Sequence, residues 1–157
     1  MPDDAAAIPA GLKRILADSF VLRFLAQAAS WRIEPDARDG VAAVLKRLIG
    51  FLDDIAMETA IRIRVLGDTP PNAMDELIQF SSCRPLLAGE AADGLSRLAH
   101  ATLLVTRDFH TMGQIARESG DEATAHFLFA RTGLLEETVW SIGQFVTGFE
   151  SRGFDQG

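Results

Sequence analysis

The residues of this chain that could do chemistry are few. There are three histidines, His100, His110 and His126. His126 has Glu122 four residues before it on the same helical face, with Asp121 at the helix start. Carboxylates and imidazoles are the groups that hold transition metals, so Asp121, Glu122 and His126 form one candidate metal set. The competing reading is a capping aspartate with a surface histidine. Asp54 and Glu58 are a second set, four apart on one face and able to approach a metal together, or else part of a solvated acidic surface. His100 and His110 sit beside an apolar stripe and read as hydrogen-bonded helix-flank residues. The lone Cys83 excludes an internal disulfide and reads as a small, partly buried side chain rather than a nucleophile. No Gly-rich phosphate loop, nucleophile triad or Cys-His zinc spacing occurs in the sequence.

Those side chains need a scaffold, and 157 residues support one domain with its own core. The net charge of -7 disfavours nucleic-acid binding, which rests on Lys and Arg neutralising phosphates. A single cysteine fits a reducing, cytoplasmic setting. The opening MPDDAAAIPAG resembles neither a signal peptide nor a basic arm, and residues 1–10 are expected to be flexible. No apolar run is long enough to span a membrane.

Four helical stripes run through the chain. In residues 11–29, Leu12, Ile15, Ser19, Leu22 and Ala26 share one face, while Phe20, Val21, Phe24 and Leu25 add apolar surface elsewhere. A helix apolar on more than one side implies a contact beyond the subunit's own core, hence oligomerisation. In residues 41–66 the stripe is Leu45, Leu48, Leu52, Ile55, Thr59 and Ile63, with Asp39 as N-cap and Gly67 as stop. A third helix over 91–119 carries Leu95, Leu98, Thr102, Val105, Phe109, Met112 and Ala116. A fourth over 121–149 carries Ala125, Leu128, Thr132, Leu135, Val139, Ile142, Val146 and Phe149. Gly120 ends one helix and Asp121 caps the next. No period-two alternation predicts strands. The first and last joins are short and force antiparallel hairpins. The middle one, 67–90, holds Pro70-Pro71, a short helix over 74–80 and Pro85. The fold class is therefore all-α, read as a ferritin-like four-helix bundle with one long crossover carrying a short extra helix; a simple bundle whose long loop only wanders has the same helix pattern.

"SWRIEP" before a long helix, then "IRIRVLGDTPPNAMDELIQFSS", then "ESGDEATAHFLFARTGLLEETVWSIGQFV", resembles the Dps mini-ferritins over about residues 11–149. Trp31, Arg62, Leu66, Gly67, Pro70, Pro71, Ser81 and Trp140 fall on family positions. The resemblance implies a self-assembling dodecameric shell that oxidises Fe(II), stores the mineral and protects against stress, with iron as its metal. It would place the ferroxidase between two subunits and a threefold pore at the last hairpin, where Asp121 matches a pore acid and His126 replaces another.

Yet the ligand positions do not carry ligands. The family's two histidines fall on Ser30 and Ala42, its first aspartate on Lys46, and the aspartate and glutamate of the other half-site on Met57 and Ile61. Alanine and isoleucine offer no donor, and an ammonium repels the cation. No Glu-x-x-His occurs either, so the intrasubunit di-iron pattern is missing. The sequence thus predicts a shell subunit weak or inactive at the usual site. The alternatives are a cage oxidising iron through Asp54 and Glu58, or a non-cage helical dimer acting as an interaction module. A mixed shell with an active paralogue is a further possibility, and DNA is not an expected partner. Trp31 and Trp140 are expected to fill subunit or helix junctions.

Overall fold

The computed structural model describes residues 2–33, 38–87 and 94–146. Six helices follow in order: α1 Pro2–Trp31, α2 Arg38–Val65, α3 Met74–Phe80, α4 Arg84–Leu87, α5 Gly94–Glu118 and α6 Glu122–Gly143. No strand occurs among the described residues. None of the described helices is long and apolar enough to cross a membrane.

The stripes meet in one core. Leu12, Ile15, Leu22, Leu45, Leu48, Leu52, Ile55, Ile63, Leu98, Phe109, Met112 and Leu128 are all fully buried. The polar members of the stripes are buried too, because each bonds back to its own helix. Ser19 Oγ donates to the Ile15 carbonyl at 2.8 Å, Thr102 Oγ1 to Leu98 at 2.7 Å and Thr132 Oγ1 to Leu128 at 2.9 Å. Thr59 is the exception: it is fully buried and its Oγ1 has no hydrogen-bond partner. An unpaired buried hydroxyl costs about 1–3 kcal/mol. Thr59→Val removes the hydroxyl at nearly constant shape, and is expected to raise stability by about 1 kcal/mol, read as a shift in the urea midpoint.

Both sharp helix ends use the same device. Asp68 N–H bonds the Ile63 carbonyl at 3.1 Å and Gly67 N–H bonds Arg64 at 3.0 Å, with Gly67 at φ 87°. Asp121 N–H bonds Ala116 at 2.8 Å and Gly120 N–H bonds Arg117 at 3.0 Å, with Gly120 at φ 81°. These are paired Schellman caps, and the left-handed conformation at their centre favours glycine.

Several boundaries differ from the periodicity. α1 begins at Pro2, not at residue 11, so residues 2–10, expected to be flexible, belong to the helix. Ile8 and Pro9 are buried, which gives that extension a tertiary anchor. Asp39 lies inside the first turn of α2 rather than before it. α6 ends at Gly143, and Gln144 follows as its cap. The proposed helical ends at Ala91 and Phe149 lie outside the described residues.

Candidate functional site

At the α1–α2 hairpin, Ser30 Oγ donates to the Gln27 carbonyl at 2.6 Å and accepts from Gln27 Nε2 at 3.0 Å. Its oxygen is spent locally. Ser30, Ala42 and Lys46 line a cavity of about 350 Å³ with Gln27, Ile33, Leu45 and Ile49. Met57 and Ile61 sit farther along α2, and both are more than half exposed. Eleven residues of helix separate Lys46 from Met57, about 16 Å at the α-helical rise. One subunit therefore cannot bring the two groups together.

The other candidates are similarly dispersed. Asp54 is exposed, whereas Glu58 is taken by Arg131 of α6 in an ion pair. The Arg131 guanidinium also lies 5.6 Å from the Phe127 ring centre and 6.0 Å from that of Phe51. Asp121 is occupied as well. Its Oδ1 accepts from the Thr124 N–H at 3.0 Å and from Arg62 Nη2 at 2.7 Å, and its Oδ2 accepts from Thr124 Oγ1 at 2.5 Å. Arg62 Nε closes the circuit on Thr124 Oγ1 at 2.7 Å. Glu122 and His126 remain exposed. No group of three or more His, Cys, Asp and Glu side chains comes close enough to hold a metal among the described residues. His110 packs its ring 5.7 Å from Phe129, and His100 Nδ1 lies 2.7 Å from the Ser96 carbonyl.

Burial alone would raise the Asp121 carboxyl, but the Thr124 hydroxyl and N–H, joined by Arg62, outweigh it and hold the pKa below the ordinary value. A depressed folded-state pKa contributes stability above the unfolded pKa, and that contribution is lost as pH falls through the folded pKa. Asp121→Asn is expected to remove this acid-side loss. Thermal melts should show the wild type and the variant converging below pH 4, the ordinary Asp range.

The sequence reading missed a second polar junction. Asp18 of α1 is fully buried. Its Oδ1 accepts from Ser81 Oγ at 2.7 Å and from the Ser82 N–H at 2.7 Å, and its Oδ2 accepts from Ser82 Oγ at 2.6 Å. The Cys83 N–H in turn donates to Ser81 Oγ at 3.1 Å. One carboxylate thereby pins the turn between α3 and α4 onto the bundle. Nearby, Arg14 Nε faces Asp108 Oδ2 at 3.8 Å, and both atoms lack a hydrogen bond. Burial pushes the Cys83 thiol up to about 12, with the charge of Asp18 adding to it. Such a thiol is inert, as its packing role requires. The sequence signal was the pair Ser81-Ser82 opposite an acid beside an apolar stripe, too common a pattern to single out.

Trp31 and Trp140 are both largely exposed, so neither fills a helix junction within the subunit. Glu137 pairs with Arg47 at 3.1 Å.

A bundle of four long helices, joined by a long crossover with a short helix, is the ferritin architecture. The chain belongs to the ferritin-like domain family, whose model matches residues 9–151. Its fold is that of the Dps proteins. Dps from Thermosynechococcus elongatus superposes with a TM-score of 0.83 at 17% identity, covering 96% of this chain and 97% of that one. DpsC from Streptomyces coelicolor gives 0.82 at 18%, covering 96% and 89%. Antigen TpF1 from Treponema pallidum gives 0.82 at 21%, covering 94% and 96%. No curated protein sequence matches the chain at a significant level.

Proposed function

We propose that this chain is the subunit of a Dps-like shell in iron handling and stress protection, with the usual inter-subunit ferroxidase lost. The observation that carries this reading is the chemistry at the ligand positions. Ala42, Met57 and Ile61 have no donor for Fe(II), Ser30 has its hydroxyl engaged with Gln27, and Lys46 brings a positive charge. Asp54 and Glu58 do not replace them, since Glu58 is neutralised by Arg131. The function left to such a subunit is that of a wall: it encloses space, admits or excludes ions and associates with its own kind.

Aerobic Fe(II) loading of the purified protein tests the reading. Oxidation is expected at the rate of a protein-free blank, with no iron retained after gel filtration. Faster oxidation with iron travelling alongside the protein would instead establish a relocated metal site, and the proposal of an inactive shell would fall.

A further inference from the structure

Where α2 runs beside α6, a groove of about 620 Å³ opens between the two helices. That volume lies in the range of small-molecule sites. The floor is apolar and comes from Leu48, Phe51 and Leu134. Leu48 belongs to the core, and Phe51 and Leu134 are half-buried. The Arg131 guanidinium, paired with Glu58, lies 6.0 Å from the Phe51 ring centre and helps to fix that ring. The groove stays open at its middle because α2 has no side chain there: a Cβ added at Gly50 would meet nothing within 4 Å.

Charge is spread unequally along this groove. Lys46 and Arg47 line one end of it. Arg47 pairs with Glu137 at 3.1 Å, but both side chains are more than half exposed, so water screens the pair. Lys46 is exposed and has no ion pair among the described residues. Asp54 lines the groove eight residues on, about 12 Å along the helix, and is also exposed and unpaired among the described residues. The Thr138 hydroxyl donates to the Leu134 carbonyl at 2.8 Å, so its proton is already used.

We infer that this groove binds a medium-chain acyl carboxylate, with the carboxylate at Lys46 and the chain laid over Gly50 and Phe51. The charges select this class. A cationic head would meet Lys46 and Arg47. A neutral apolar molecule would cover the floor but leave Lys46 without a counter-charge. A dianion long enough to fill the groove would bring its second charge to Asp54. A monocarboxylate puts its one charge at the cationic end and only its tail at the acidic end. All the lining residues come from one chain, so the site stands or falls apart from the shell reading.

Titration calorimetry of the full chain with decanoate, below its micelle-forming concentration, tests the inference. One saturable site per chain is expected. Octanoate and hexanoate should bind about threefold more weakly for each methylene removed, since the open groove covers only part of each one. Decylamine, with the same chain and a cationic head, should bind at least about tenfold more weakly than decanoate. Lys46→Gln should weaken decanoate binding about tenfold. Gly50→Leu should fill the groove and abolish binding, yet melt no lower than wild type, because its Cβ is unobstructed and leucine is the better helix former. No saturable heat from decanoate, decylamine binding as tightly as decanoate, full affinity in Lys46→Gln, or binding that survives Gly50→Leu would each overturn the assignment.

Discussion

A chain carrying Ser30→His, Ala42→His, Lys46→Asp, Met57→Asp and Ile61→Glu is expected to oxidise Fe(II) well above the blank, whereas the unmodified chain is expected to match it. The backbone frame for such a site is present: an exposed Ala42 and Lys46 one turn apart on α2, Ser30 across the cavity from them, and Met57 and Ile61 one turn apart farther along. What is missing is donors. Imidazole and carboxylate supply them, and removing Lys46 removes the charge that would repel the cation. Changes to groups that merely support a metal's ligands shift affinity by about 10–100-fold, so restoring the ligands themselves should raise the oxidation rate by at least about tenfold. The measurement is the initial rate of aerobic Fe(II) oxidation, with iron content after desalting as the second readout. A rate still equal to the blank in an associated variant would show that the two half-sites do not meet.

Asp18→Ala is expected to be the most damaging single substitution of a polar residue, lowering stability by about 3 kcal/mol. Two effects compete. Removing the carboxylate relieves the cost of holding a fully buried group away from water. It also strips the acceptor from the Ser81 and Ser82 hydroxyls and from the Ser82 N–H, all within 2.7 Å of it. Three stranded donors, each worth about 1–3 kcal/mol, outweigh the relief. For a chain of this size the melting midpoint should fall by roughly 10 °C. Asp18→Asn keeps the shape and one acceptor oxygen, and should lose only about 1 kcal/mol. A melting midpoint of Asp18→Ala within a degree or two of wild type would show that the turn is held by its apolar contacts alone. The pH behaviour adds a second check. Burial, aided by the charge of Asp108, raises the Asp18 pKa against the pull of its serine hydrogen bonds. A raised carboxyl contributes stability below its unfolded pKa, and that contribution fades as pH rises through the folded value. Asp18 and Asp121 therefore act with opposite sign on the acid limb: Asp121→Asn should make the loss of stability on acidification smaller, whereas Asp18→Asn should abolish the loss that comes as pH rises through the folded Asp18 value.

Much of the architecture was legible in the linear pattern. Every three-four stripe residue of α1 and α2 named from spacing is buried, and so are those of α5 from Leu98 onward. Periodicity succeeds there because a helix can bury only the side that repeats every 3.6 residues. The Ser119-Gly120-Asp121 hairpin was equally plain, since a left-handed cap and an N-cap are local chemistry. The change of residue type at Ser30, Ala42, Lys46, Met57 and Ile61 also needs no coordinates, because an alkyl side chain has no lone pair wherever it is placed.

Tertiary structure decided the rest, and always for a non-local reason. Asp18 meets Ser81 and Ser82 across more than sixty residues of chain, so no window of sequence contains that contact. Arg62 and Asp121 stand 59 residues apart, and only the fold shows that the candidate pore acid is also half of an ion pair. Glu58 looked free until α6 delivered Arg131 to it. The start of α1 followed the burial of Ile8 rather than the local stripe. Above all, the sequence marked Phe20, Phe24, Met57 and Ile61 as apolar, but only the packed bundle shows which apolar residues it leaves outside. Whether an apolar side chain serves the core or a partner depends on which helices have already covered it, and that is a property of the assembled fold.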